Sequence, residues 1–141
     1  MIILAVDYGD ARTGVAVCDK NEILASPVAV IGEKDARTLA EKISRLAGER
    51  QAARIVVGLP RNMDGSEGFR AEACRAFAAL VEEVSGVPTV LRDERLTTVS
   101  AHRALSDAGV FGKKRKQTVD AVSAVMILQD YIDAKRGTDA E

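Results

Sequence analysis

The sequence predicts an α/β domain built on one mixed, five-stranded sheet with helices on its faces. Three observations predict it. The first part of the chain, up to residue 31, alternates short apolar runs with polar turns, the pattern of an antiparallel meander. From residue 33 onward, amphipathic helical stretches alternate with short apolar runs, the pattern of crossover units around parallel strands. The chain has 141 residues, 47% of them hydrophobic, which suits one domain with a sizeable core.

Residues 2–6 are continuously apolar, as in a strand covered on both faces. Residues 7–14 form a turn-rich loop with two glycines, and residues 15–18 resume as a strand. After a polar turn at 19–22, residues 23–31 make a third strand, in which Pro27 marks a sheet edge or a bulge. Residues 33–50 carry Leu39, Ile43, Leu46 and Ala47 at helical spacing, with acids in the first turn. Residues 55–57 are a short buried strand ending at Gly58-Leu59-Pro60. A second helix spans 67–84 and is stopped by Ser85-Gly86. Residues 87–91 form the fifth strand and 96–108 a third helix. Residues 109–117 are expected to be a loop carrying a basic run, and 119–134 the last helix. The tail beyond Lys135 is expected to fray, so the domain should span 1–137, with 138–141 disordered.

Charge is nearly balanced, with 20 Lys+Arg against 21 Asp+Glu, so no global excess announces a nucleic-acid partner. One local excess stands out: Lys113-Lys114-Arg115-Lys116, just before Asp120. It reads as a solvated loop or as a phosphate contact. Cys18 and Cys74 are far apart, and His102 is the one histidine, so a structural zinc site is not expected. Two buried free thiols in a reducing compartment are. No apolar run approaches the ~18 residues of a membrane span, and no basic leader precedes Ile2. A cytoplasmic protein without membrane contact is the expectation.

Three lone acids sit where an acid is expensive. Asp7 ends the first apolar run, Glu94 follows the fifth strand, and Asp120 opens the apolar stretch of the last helix. A carboxylate against a packed core costs several kcal/mol unless it is paired or bound to metal. Brought together, three of them would hold a hard divalent cation such as Mg²⁺. Each has a plainer reading too: an aspartate turn for Asp7, an acidic turn for Glu94, and helix-dipole stabilisation for Asp120. Asp7-Tyr8-Gly9 with Arg12 and Gly14 spells DxGxxRxG, where Gly9 permits a tight turn and Arg12 could reach a phosphate. DxG after a strand also opens the phosphate hairpin of actin-like ATPases, but those need a far longer chain. The loop 58–66 offers Arg61, Asn62 and Ser66 as donors and lacks the Walker lysine pattern, or it is a connection in which Asp64 or Ser66 caps the following helix. Of the adjacent acids after the fifth strand, Glu94 is chosen for the site, while Asp93 could pair Arg95 or cap a helix.

Four strings, DYGDARTGVAV, VVGLPRNMDGSEG, RDERLTTVSA and VDAVSAVMILQDY, occur in this order along nearly the whole chain. Together they resemble the YqgF/RuvX family of Holliday-junction resolvases, ribonuclease H-like proteins also linked to maturation of the small-subunit ribosomal RNA precursor. The resemblance implies a ribonuclease H-like sheet of order 3-2-1-4-5 with helices on both faces. It also implies a divalent-metal nuclease with acids at Asp7, Glu94 and Asp120. In one respect the chain departs from related resolvases: its fourth strand carries no acid, so Glu94 must stand in.

The expected function is a Mg²⁺- or Mn²⁺-dependent endonuclease on structured nucleic acid, either branched DNA or precursor ribosomal RNA. Asp7 would bridge two ions, with Glu94 and Asp120 each anchoring one. Arg12, Arg61, Asn62, Arg95 and the run Lys113, Lys114, Arg115 and Lys116 would hold flanking phosphates. Aromatic residues make up only 4% of the chain, so backbone and shape contacts are expected to outweigh stacking. The protein would act as a monomer or homodimer. Two other readings stay open: a non-catalytic RNA-binding ribosome-assembly factor that keeps the fold, and a small ATPase.

Overall fold

A computed structural model describes residues 1–62, 64–96 and 113–139, with backbone alone at 96, 113–121 and 138–139. Five strands form one sheet: β1 (Ile3–Asp7), β2 (Thr13–Cys18), β3 (Ala25–Ile31), β4 (Arg54–Leu59) and β5 (Thr89–Asp93). Three helices are described: α1 (Ala36–Arg50), α2 (Phe69–Ser85) and α3 (Lys113–Asp139). The sheet order is β3-β2-β1-β4-β5, as the resemblance implied. β1 pairs antiparallel with β2 and parallel with β4, and β4 pairs parallel with β5.

Strand alternation splits the apolar residues into two cores. Leu4 and Val6 point to the face covered by α1 and α2, with Leu39, Ile43, Phe77 and Val81. Ile3 and Ala5 point to the face covered by α3, with Ala124, Ile127, Leu128 and Ile132. Burial on both sides is why β1 reads as a continuous apolar run rather than an alternating one. Pro27 satisfies both of its predicted meanings. It lies on edge strand β3, beside a register shift between Val15 and Ala16.

Several boundaries move. β1 extends to Asp7 and β2 begins at Thr13, because Asp7 pairs with Gly14 and prolongs the ladder. The rest of the loop is a tight turn, in which a Cβ on Gly9 would collide with the Arg12 carbonyl oxygen. α1 starts after its acids, not on them. Asp35 is its N-cap and accepts from the Thr38 N–H at 2.9 Å. Neither Asp64 nor Ser66 caps α2. Its N-cap is Gly68, without a side-chain hydrogen bond, and the Asp64 carboxylate instead accepts from Ser66 inside the loop. α3 begins at Lys113, so residues 113–117, expected as loop, are helical. Lys, Arg and Gln are strong helix formers, and a charged run does not by itself break a helix. The helix expected over 96–108 and His102 lie outside the described residues. Cys18 and Cys74 are both buried as thiols. Among the described residues no helix is long and apolar enough to cross a membrane.

Candidate active site

The carboxyl ends of the parallel strands β1, β4 and β5 lie side by side, and loops leave the sheet there. In open α/β sheets this is where ligands bind. Asp7 is the last residue of β1 and Glu94 the first residue after β5, in a 3-10 turn over Glu94–Leu96. They are 5% and 4% exposed, the only acids among the buried residues described. Both line one pocket, together with Tyr8, Pro60, Arg70 and Cys74.

Gly58 on β4 explains how Glu94 reaches the centre of this site. A Cβ at position 58 would lie 2.5 Å from Glu94 Oε1 and 2.7 Å from Ile127 Cδ1. The Glu94 carboxylate therefore fills the space that a β4 side chain would take. The fourth strand offers no acid, and its glycine admits the acid from β5.

Asp93 turns the other way. Its carboxylate accepts from Arg95 Nη2 at 2.8 Å and from the Arg95 backbone N–H at 3.0 Å, and the Arg95 hydrogen bond holds its pKa below the usual carboxylate range. Arg61 reaches the same carboxylate at 3.4 Å and Glu67 at 3.0 Å. Arg75 grips Glu67 through two bonds of 2.6 Å and pushes its pKa down to about 2. Arg61, expected as a phosphate contact, thus ties the loop after β4 to the end of β5, while Arg95, expected as another, pairs with Asp93 within the turn that follows β5. Asn62 is exposed, and its side-chain amide donates to Ser66 Oγ at 3.0 Å within that loop. Arg12 is half-buried in the β1–β2 turn.

Arg70 is the pocket residue that sequence reasoning missed. Its guanidinium donates to the Tyr8 carbonyl at 2.5 Å and to Asp10 Oδ1 at 2.7 Å, and lies 5.5 Å over the Tyr8 ring. Tyr8 in turn stacks on Phe77 with ring centroids 4.1 Å apart. One turn on, Cys74 lines the same pocket, so a single face of α2 closes it. Nothing in the sequence separates Arg70 from Arg75 on the same helix; only the fold brings it to Asp7.

The backbone of Asp120 lies in α3, as do those of Lys113, Lys114, Arg115 and Lys116; their side chains lie outside the described residues. Among the described residues no three His, Cys, Asp or Glu side chains group as metal ligands. The pocket brings two of the three predicted acids together.

Comparison with known proteins gives concordant results. A family model described as RuvX: Holliday junction resolvase matches residues 1–134. A Streptomyces avermitilis protein, provisionally named a pre-16S rRNA nuclease, is 42% identical over 134 residues, 94% of this chain and 86% of that protein. A Leuconostoc citreum protein with the same provisional name is 44% identical over 137 residues, 95% of this chain and 96% of the other. Thermus thermophilus RuvC, solved with a Holliday junction substrate, superposes with a TM-score of 0.60 at 14% identity, over 98% of this chain and 97% of that one. The shared fold is that of ribonuclease H-like resolvases.

Proposed function

This chain belongs to the RuvX Holliday junction resolvase family, and on that premise we propose that it is a divalent-metal-dependent endonuclease acting on structured nucleic acid. One observation carries the proposal: two buried carboxylates, Asp7 and Glu94, from separate elements, line one pocket at the carboxyl end of the sheet. Their oxygens are hard donors and suit Mg²⁺ or Mn²⁺. Asp120, on the helix crossing the same sheet, is the third proposed ligand. A divalent ion held there supplies polarisation of a phosphoryl oxygen and a water of lowered pKa.

The chain's own residues do the rest. Gly58 lets the Glu94 carboxylate stand over β4, and Gly9 lets the chain turn tightly directly after Asp7 and Tyr8. Arg70, held by Asp10 and the Tyr8 carbonyl, sets positive charge at the mouth of an acidic pocket, where a phosphodiester must approach. Arg12 and the basic first turns of α3 are proposed to hold flanking phosphates.

Precursor small-subunit rRNA is the favoured substrate, because the relatives at 42% and 44% identity carry that provisional name. One cut in RNA suits a monomer, whereas paired cuts in a DNA junction would call for a homodimer. The cytoplasm is the proposed place of action.

The test is cleavage of two labelled substrates, a four-way DNA junction and a precursor of the rRNA 5′ region, with Mg²⁺, Mn²⁺ or EDTA. Metal-dependent cutting of the RNA, abolished by Asp7→Asn, is the expected result. Binding without cutting by folded protein, under every metal condition, would overturn the enzyme reading in favour of an assembly factor.

A further inference from the structure

We infer a second anion site, built for a phosphate group, where the β5 edge of the sheet meets the C-terminal half of α3. A shallow, open groove there is lined by Arg54, Arg92, Tyr131, Ala134 and Lys135. Three of the five are cations, one carries a hydroxyl, and none is an acid. Such a lining repels cationic ligands and favours a multivalent oxyanion, which takes charge-assisted hydrogen bonds from several of these groups at once.

The cations are not equivalent. Arg54 Nη1 donates to Tyr131 Oη at 2.7 Å, which fixes its fork. Lys135 Nζ is 2.8 Å from Glu22, so its charge is partly spent. Arg92 differs from both. Its Nε is buried with no hydrogen-bond partner among the described residues. A guanidinium cannot shed its charge, and buried donors are almost always partnered. The residue as a whole is half-buried and lines the groove, so an oxyanion seated there can pair with a guanidinium whose hydrogen bonding the chain leaves incomplete. The other buried, unbonded guanidinium nitrogen among the described residues, Arg61 Nε, belongs to a side chain already paired with Glu67 and Asp93.

Position argues for one source of the phosphate. Arg92 lies on β5, the edge strand, and Glu94 begins the turn directly beyond that strand. A polynucleotide leaving the carboxylate pocket over the β5 edge meets Arg92 and then Arg54. The site therefore reads as a backbone-phosphate clamp flanking the active site. A free phosphate or phosphomonoester shares the chemistry and is the other source. The nucleic-acid arm rests on the nuclease reading above; the phosphate arm does not.

The experiment is done in EDTA, so that cleavage plays no part. Binding of a short fluorescein-labelled RNA is titrated against salt for wild type, Arg92→Met, and the Arg54→Met/Arg92→Met double variant. Binding of AMP is measured for the same proteins by calorimetry. Circular dichroism checks that each is folded. Arg92→Met is expected to weaken RNA binding several-fold and to lower the salt slope by about one, the signature of a lost phosphate contact. The double variant is expected to lose more. AMP binding that vanishes in Arg92→Met, with RNA binding unchanged, would keep the site and assign it to a free phosphomonoester. If folded variants bind RNA and AMP as wild type does, the site is refuted. If no protein binds RNA, the nuclease reading fails instead, and the AMP arm alone decides the site.

Discussion

Gly58 controls where the Glu94 carboxylate stands. A methyl group at position 58 would overlap Glu94 Oε1 at 2.5 Å and Ile127 Cδ1 at 2.7 Å. The glutamate can swing away, but Ile127 is fully buried and has nowhere to go. Gly58→Ala should therefore cost about 1–3 kcal/mol, as overpacking does, measured by urea unfolding. It should also cost cleavage about 10²-fold, since displacement by an ångström has that effect in positioned sites. Full activity in Gly58→Ala would show that this carboxylate is not positioned for the reaction. The neighbouring acid makes the complementary case. Asp93 is bound by Arg95 and Arg61 rather than turned into the pocket. Glu94→Gln is expected to abolish cleavage and Asp93→Asn to leave most of it. The reverse ranking would exchange their roles. Sequence alone supports only a preference between these two acids. Alternation along a strand separates neighbours, but the chain leaves β5 between them, and the turn decides which faces inward.

The elements around the site are held by contacts that no local pattern encodes. The loop between β4 and α2 is anchored by Glu67, which Arg75 and Arg61 both reach, and by Asp93 through Arg61. Gly65, at φ +91°, bends the loop so that Arg95 passes beside it. Composition and glycine content identify the loop, yet the ion pair from Arg61 to Asp93, on a different strand's end, is beyond their reach. Arg61 therefore looks like a ligand contact until the fold pairs it with Asp93, whereas the Asp93–Arg95 pair, two residues apart, is one the sequence itself offers. The pH dependence of this anchor has a definite sign. Glu67 titrates at about 2 in the folded protein against an ordinary 4.5, so its ionised form is favoured by folding. That contribution is complete above pH 4.5 and is lost as pH falls from 4.5 toward 2. Glu67→Gln should flatten the fall in stability across that window, read by thermal unfolding at successive pH values. An unchanged profile would mean that the loop anchor contributes nothing. A cap far from the site provides the contrast. Asp35→Ala removes the N-cap of α1 and should cost about 1 kcal/mol of stability while leaving cleavage unchanged.

At the scale of the whole molecule, the strand order 3-2-1-4-5 follows from the family resemblance, while one mixed sheet with helices on its faces is legible in the patterning, because a meander of short apolar runs followed by alternating helical and apolar stretches leaves few topologies. The length of α3 is not. Its basic first turns resemble a solvated loop, and only their continuity with the buried Ala124, Ile127, Leu128 and Ile132 makes them helix. That helix joins stability to function. It covers one face of the sheet alone among the described helices, and it clamps β3 through Gln129, which accepts from the Ala25 N–H at 2.9 Å and donates to the Ile23 carbonyl at 3.0 Å. It also carries Asp120. If a divalent ion is held by Asp7 on β1, Glu94 after β5 and Asp120 on α3, it cross-links three elements that the unfolded chain keeps apart. Metal must then stabilise the fold by linkage, by about 2.7 kcal/mol at a hundred times the dissociation constant. Thermal unfolding of wild type with and without Mn²⁺ should show this gain. Asp7→Asn should lose it and Asp120→Asn should lose most of it, each measured against its own metal-free midpoint. The readout needs no substrate, so it separates metal binding from catalysis. An equal metal-induced shift in all three proteins would place the ion elsewhere and remove Asp120 from the site.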